Sequence, residues 1–399
     1  MDKYLSDKTR SIEEPLTIGM SRRSREMNQQ GIEVINLSLG EPDFDTPEPI
    51  KQAAIEAIHQ NFTHYTPVSG YLELRKAICE KFKRDNQLEY TPEQIVVSTG
   101  AKQSIANVYM ALLNPGDEVI VPSPYWVTYV EFLKLLDAKP VIIPTSIHTN
   151  FKVSGSELEK HITPKTKIII FSSPSNPTGS VYSYDELSEW ARVLEKYPDV
   201  FVISDEIYEH INYVGKHYSL AQFESIKDRV IVINGVSKGF AMTGWRGGIM
   251  AGPKWLAQAC DKIQGQFTSA TCSITQKAMH KAMLLDVNTY VKPMVDIFKK
   301  RRDLVLSHLK NIQGMRANVP DGAFYVFVEV SSLFGKKFKD KVIKNGTDLC
   351  FYLLEEARVS LVPGAAFGDD NYIRISYATS EHLLEKALQQ IKEAIEKLQ

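Results

Sequence analysis

An α/β fold with a mostly parallel central sheet, joined to a smaller α+β unit, follows from three features of this sequence. Short β-branched runs recur along the first two thirds of the chain, segments with helical spacing separate them, and the texture changes after about residue 285. The runs are QIVVST (94–99), EVIVPS (118–123), PVIIP (140–144), KIIIFS (167–172), VFVIS (200–204) and VIVIN (230–234). Near-continuous apolar strands of this kind are buried on both faces, as in parallel sheets. KQSIANVYMALL after Gly100 and YDELSEWARVLEKY after Tyr182 space their apolar residues at three and four, the helical period. Strand and helix alternate, which gives a parallel sheet covered by helices.

Beyond residue 285 comes the charged helical stretch VKPMVDIFKKRRDLVLSHLKNI, then AFYVFVEV, then a final EHLLEKALQQIKEAIEKL. A chain of 399 residues exceeds what one hydrophobic core usually serves. We therefore expect a large domain over residues 43–285 and a small domain over 286–399. Residues 1–42 can pack with either part and are assigned to the small domain.

Composition excludes several classes. Hydrophobic residues make up 43% and charged residues 24%, ordinary globular usage. Forty-seven basic residues against forty-eight acidic ones leave a net charge of -1, which supplies no field for a nucleic-acid backbone. No apolar run approaches membrane-spanning length, and the polar N-terminus lacks the apolar stretch of a secretory signal. Cys79, Cys260, Cys272 and Cys350 lie far apart with no CxxC pair, so we expect reduced thiols in a cytoplasmic protein. His64, His210 and His217 form no HxH or HExxH pattern, and no metal is assigned.

In such a sheet, ligands gather at the carboxyl ends of the strands, so the residues just after each run carry the information. After QIVVST, Gly100, Ala101 and Lys102 open a helix whose free N–H groups suit a phosphate, although the same joint serves as an ordinary turn elsewhere. After KIIIF, the turn SSPSNPTG (172–179) presents Asn176, which an Asn-Pro turn alone would also explain. Asp205 follows VFVIS with Tyr208 three residues on; an Asp here can equally cap a helix. After VIVIN comes GVSKGFAMTGWRGG, where Ser237, Lys238 and Arg246 stand among glycines that let backbone approach a ligand. A lysine beside glycines is otherwise a solvated loop cation.

Asn176, Asp205, Tyr208, Ser237, Lys238 and Arg246, in this order and spacing, resemble the fold-type-I pyridoxal-phosphate enzymes, specifically the class I aminotransferases. The motifs SPSNPTG, SDEIYEH and SKGFAMTGWRGG carry the likeness, which runs from NLSLGEPDFDTP near residue 36 to YIRISYA near residue 372. It is closest to the bacterial aspartate aminotransferase branch. The resemblance implies a seven-stranded sheet in the large domain and pyridoxal 5'-phosphate as cofactor, held as a Schiff base on Lys238. Lys238 is then also the base that moves the substrate Cα proton. By the same resemblance Asp205 pairs with the pyridine nitrogen, Tyr208 and Asn176 donate to the ring 3' oxygen, and Trp126 of SPYW stacks on the ring. Ser237, Arg246 and the backbone at Gly100, Ala101 and Lys102 hold the phosphate. Tyr65 of HYTPVSG reaches it from a second subunit, which implies a homodimer with shared active sites.

Arg374 in YIRISYA matches the family position that grips the substrate α-carboxylate, where a planar fork is needed. Gly40, Asn176 and Trp126 complete that pocket. GQFTSATCSITQ near residue 270 lacks the second arginine of the animal-type enzymes. Lys102 of GAKQ takes that role in the bacterial branch, helped by Thr17, so aspartate or a related amino acid with 2-oxoglutarate is the implied substrate pair. An aromatic or prephenate aminotransferase is the alternative within the same pocket. A carbon–sulfur β-lyase, or a regulator that senses the cofactor, ranks below both.

Overall fold

The structure, a computed structural model, describes residues 4–12 and 16–399, with the side chains at 16–18 and 21 outside that description. The candidate Thr17 therefore lies outside the described residues. All six expected strands form, each within a residue of its run: Ile95–Thr99, Glu118–Ser123, Lys139–Pro144, Thr166–Ser172, Phe201–Asp205 and Val230–Gly235. A seventh, Gly247–Ala251, completes one sheet in the order 95–99, 247–251, 230–235, 201–205, 166–172, 118–123, 139–144. It runs antiparallel to both neighbours, and every other pairing in the sheet is parallel.

That strand, GGIMA, is buried throughout yet has no β-branched run to announce it. Its glycines are there for proximity. A Cβ at Gly248 would collide with the backbone of Gly100 and Ala101, so the bare backbone lets the start of helix Ala101–Leu112 sit against the sheet.

Alternate strand residues divide between two apolar layers, as the period-two geometry of a strand requires. Val96, Val121, Ile168, Ile170, Ile203 and Ile233 pack with Ile105, Tyr109, Leu133 and Cys260 on one side. Val97, Ile120, Ile169, Val202 and Val232 pack with Ile78, Leu187, Trp190 and Met279 on the other. Each of these aliphatic side chains contributes about 1.5–3 kcal/mol on burial. Ser183 begins helix Tyr184–Leu194 with a reciprocal cap, its Oγ accepting from Glu186 N while its own N–H donates to Glu186 Oε2.

The C-terminal region builds a four-stranded antiparallel sheet in the order Val362–Pro363, Tyr372–Ser376, Tyr325–Glu329, Arg316–Ala317. Helices Lys292–Leu309 and Glu381–Glu396 pack on each other beside it. The N-terminal part joins this unit: strand Ile35–Asn36 pairs with Val359–Ser360, and helix Leu16–Gln29 packs against the strands at 359–363. The short turn Asp7–Ser11 reaches the other way, where Lys8 Nζ donates to Leu135 O at 2.6 Å. No helix among the described residues is long and apolar enough to cross a membrane.

Candidate active site

The carboxyl ends of the central strands open into one cavity of about 460 Å³, to whose lining the C-terminal sheet contributes Tyr325 and Arg374. Strand Phe201–Asp205 ends on Asp205; the turn after Val230–Gly235 carries Ser237 and Lys238; Ala101 and Lys102 begin their helix beside Thr99. The antiparallel strand starts where its neighbours end, which is how Arg246, just before Gly247, reaches the same edge. The cavity lining contains Gly40, Ala101, Lys102, Trp126, Asn176, Asp205, Tyr208, Ser237, Lys238, Arg246 and Arg374. Gly100 stands behind it at a φ of 82°, and a Cβ there would strike the Arg246 guanidinium. Tyr65 is 97% exposed and does not line the cavity of its own chain.

Asp205 is buried. Its Oδ2 accepts a 2.6 Å hydrogen bond from the Tyr129 hydroxyl, and its Oδ1 accepts the Ile207 N–H at 3.3 Å. Burial pushes its pKa up to about 6 against the pull of those donors and of Lys238. Burial acts on Lys238 in the opposite sense and, with Arg374 and Arg246 nearby, holds it at about 8 although Glu41 and Asp205 favour its charge. Lys238 Nζ donates to Gly40 O at 2.5 Å and lies 5.9 Å from the centre of the Tyr208 ring.

Arg374 sits mid-strand and is 3% exposed. Its Nη1 donates to Asn176 Oδ1 at 2.9 Å and its Nη2 to Ser38 O at 2.7 Å, with the Tyr325 ring 4.4 Å away. Its buried Nε has no partner. Arg246 adopts a left-handed φ of 57° and donates to Thr243 O at 2.9 Å. Lys102 Nζ lies 5.1 Å from the Trp126 ring centre, and its pKa is lowered by burial and then by Arg246. Trp126 meets Tyr129 edge to face at 5.6 Å.

Arg25, Ser38, Leu39, Tyr129, Ser172, Ile207, Thr243 and Tyr325 also line the cavity without having been singled out from the sequence. Tyr129 and Tyr325 read simply as apolar members of a helix and a strand, and Arg25 as one of many charges on an exposed helix. Counted over its lining, the cavity brings Arg25, Lys102, Lys238, Arg246 and Arg374 against the single carboxylate Asp205.

Behind Asp205 lies a second buried polar cluster, whose carboxylates are hydrogen-bonded while the buried His217 Nδ1 has no partner. Glu206 accepts from Ser204, Ser219 and His217, while Glu209 pairs with Lys81 and accepts from Asn86 at 2.7 Å.

This cavity belongs to a known class. Residues 32–391 match the family described as aminotransferase class I and II, and the chain belongs to that family. It is 49% identical to a probable aspartate/prephenate aminotransferase of Rickettsia bellii, over 98% of each chain. It is 47% identical to a bifunctional aspartate aminotransferase and glutamate/aspartate-prephenate aminotransferase of Petunia hybrida, over 99% of this chain and 83% of that one. Among solved structures, the aspartate aminotransferase of Rhizobium meliloti superposes with a TM-score of 0.96 at 43% identity, over 99% of both chains. That of Thermus thermophilus with maleate gives 0.92 at 38% identity, over 98% of this chain and 99% of that one.

Proposed function

We propose that this aminotransferase uses pyridoxal 5'-phosphate held on Lys238 to exchange the amino group of L-aspartate with 2-oxoglutarate by a ping-pong scheme. The observation that carries the reading is that Lys238, Asp205, Arg246 and Arg374 all line one cavity. The fit is testable on charge and space. Five cations facing one buried carboxylate suit a ligand set with a phosphate and further carboxylates, and the bare Gly100 leaves room for the Arg246 guanidinium. Ser237, Arg246 and the helix start at Ala101 and Lys102 would hold the phosphate. Bound there, the cofactor supplies an aldehyde that takes up the amino group and a ring that accepts the electrons left when the substrate Cα loses its proton.

The chain's own residues do the rest. At pH 7 a lysine with pKa about 8 is neutral in about one molecule in ten, against about one in three thousand for an ordinary lysine, so Lys238 is ready to act as nucleophile and then as base at the substrate Cα. With the cofactor bound, Asp205 would keep the ring nitrogen protonated, Tyr208 and Asn176 would donate to the ring oxygen, and Trp126 would pack against the ring. Arg374, fixed by Asn176 and Ser38, grips the α-carboxylate, with Gly40 beside it. Lys102 takes the distal carboxylate, with Thr17 assigned to the same role. The relatives named for aspartate support this substrate; those named also for prephenate support that dicarboxylic acid as a second one.

We also propose the domain division at residue 285, with 1–42 joining 286–399, supported by the pairing of Ile35–Asn36 with Val359–Ser360. A homodimer with shared sites is supported by the exposure of Tyr65. The four free cysteines support a cytoplasmic protein. The test is an absorption titration: protein loaded with cofactor, then aspartate, then 2-oxoglutarate. A visible band that aspartate removes and 2-oxoglutarate restores is the expected result. A band indifferent to aspartate would overturn the substrate reading, and a Lys238→Ala protein with an unaltered band would overturn the role of Lys238.

A further inference from the structure

We infer that Tyr325 is a positioning residue for this site: its hydroxyl aims the Tyr208 phenol into the cavity while its ring supports the plane of Arg374. This rests on the cofactor reading above and adds a residue which that reading does not require.

Tyr325 is fully buried at the first position of strand Tyr325–Glu329. The register sets Phe327 opposite Arg374, so Tyr325, two residues earlier on the same face, is the diagonal neighbour of that arginine. There the guanidinium carbon lies 4.4 Å from the centre of the Tyr325 ring. Stacking of this kind holds a guanidinium flat without using any of its N–H donors. Nη1 and Nη2 stay tied to Asn176 and Ser38, and the remaining donors keep their direction.

The hydroxyl end of Tyr325 serves a different partner. It lies 2.8 Å from the Tyr208 hydroxyl. A Cβ added at Gly40 would lie 3.0 Å from it, so the bare backbone there leaves it room. A phenol has one proton. For Tyr208 to donate that proton to a group in the cavity, its oxygen must accept from Tyr325. A hydroxyl that accepts one hydrogen bond donates the next more strongly. One side chain thereby links the carboxylate clamp to the phenol facing the ring, across the boundary between the two sheets. An ordinary core tyrosine with a satisfied hydroxyl would have the same burial, and spectroscopy separates the two.

The test compares Tyr325→Phe, Tyr325→Leu and Tyr208→Phe in the loaded enzyme. The pH titration of the bound cofactor's visible band is read first, then kcat and KM for aspartate. With Tyr325→Phe the titration midpoint moves to higher pH, because weaker donation from Tyr208 leaves the ring oxygen less stable as an anion. Its kcat falls about fivefold to tenfold, the size of one hydrogen bond, while KM changes less than about twofold because the phenyl ring still faces Arg374. Tyr325→Leu, which removes the ring, adds a rise in KM of about tenfold. Tyr208→Phe shifts the midpoint in the same direction, and Tyr325→Phe on top of it adds nothing. If Tyr208→Phe moves the midpoint and Tyr325→Phe does not, the inference is wrong and the cofactor reading stands. If neither moves it, the role given to Tyr208 falls as well.

Discussion

Arg374 and Asn176 are 198 positions apart in the chain, and the guanidinium Nη1 donates to the amide Oδ1 at 2.9 Å. The arginine comes from the C-terminal antiparallel sheet and the asparagine from a turn at the edge of the central one. Their contact fixes one edge of the fork across the seam between the sheets. Arg374→Lys keeps the charge but cannot hold Asn176, Ser38 and a carboxylate together, so kcat/KM for aspartate should fall about 100-fold. Steady-state kinetics with unchanged kcat/KM would remove Arg374 from the carboxylate role.

Burial pulls the Lys238 pKa down because the charged amine is unfavourable inside the folded chain. Its folded pKa of about 8 lies below the ordinary lysine value, so the folded chain binds fewer protons than the unfolded one between about pH 8 and 10.5. Stability attributable to this group therefore rises with pH through that window and is lowest below it. Lys238→Met should abolish transamination while stabilising the cofactor-free protein at pH 7, by no more than about 3 kcal/mol. The gain should shrink toward pH 10. Thermal melting at pH 7 and pH 10 decides the matter, and a Met variant less stable than the parent at pH 7 contradicts the argument.

Asp205 must be ionised to pair with a protonated ring nitrogen. Its pKa of about 6 predicts that cofactor affinity weakens as pH falls through 6. Tyr129 holds that value down by donating to Oδ2. In Tyr129→Phe the loss of affinity should set in at higher pH, as read from cofactor binding between pH 5 and 8. The same midpoint in both proteins would show that Tyr129 does not act through Asp205.

Lys102 is the residue on which substrate choice depends. Lys102→Ala should lower kcat/KM for aspartate by about tenfold to 100-fold and leave a monocarboxylic amino acid such as phenylalanine within about threefold. Equal losses on both substrates would place Lys102 with the phosphate instead.

Tyr65 tests the shared site. Lys238→Ala and Tyr65→Ala proteins, each impaired alone, should regain activity when unfolded together and refolded as mixed dimers. In such a dimer one site has both wild-type residues. Mixtures no better than their components would confine the site to one chain.

The sequence by itself determined most of the sheet and the residues at its carboxyl edge. Buried parallel strands must be apolar on both faces, and that leaves runs such as KIIIFS and VIVIN followed directly by their polar ends. Asp205, Ser237 and Lys238 were legible because each stands within four residues of such a run. Only the tertiary structure decided what has no local signal. The GGIMA strand is chosen for closeness of backbone at Gly248, which no periodicity records. Tyr129 and Tyr325 are apolar by position and polar only at the tip of a ring, so their partners Asp205 and Tyr208 appear when distant elements meet. Burial, which holds Lys238 near 8 and Asp205 near 6, is likewise a property of the packed chain, because a pKa depends on what surrounds the group and not on its neighbours in sequence.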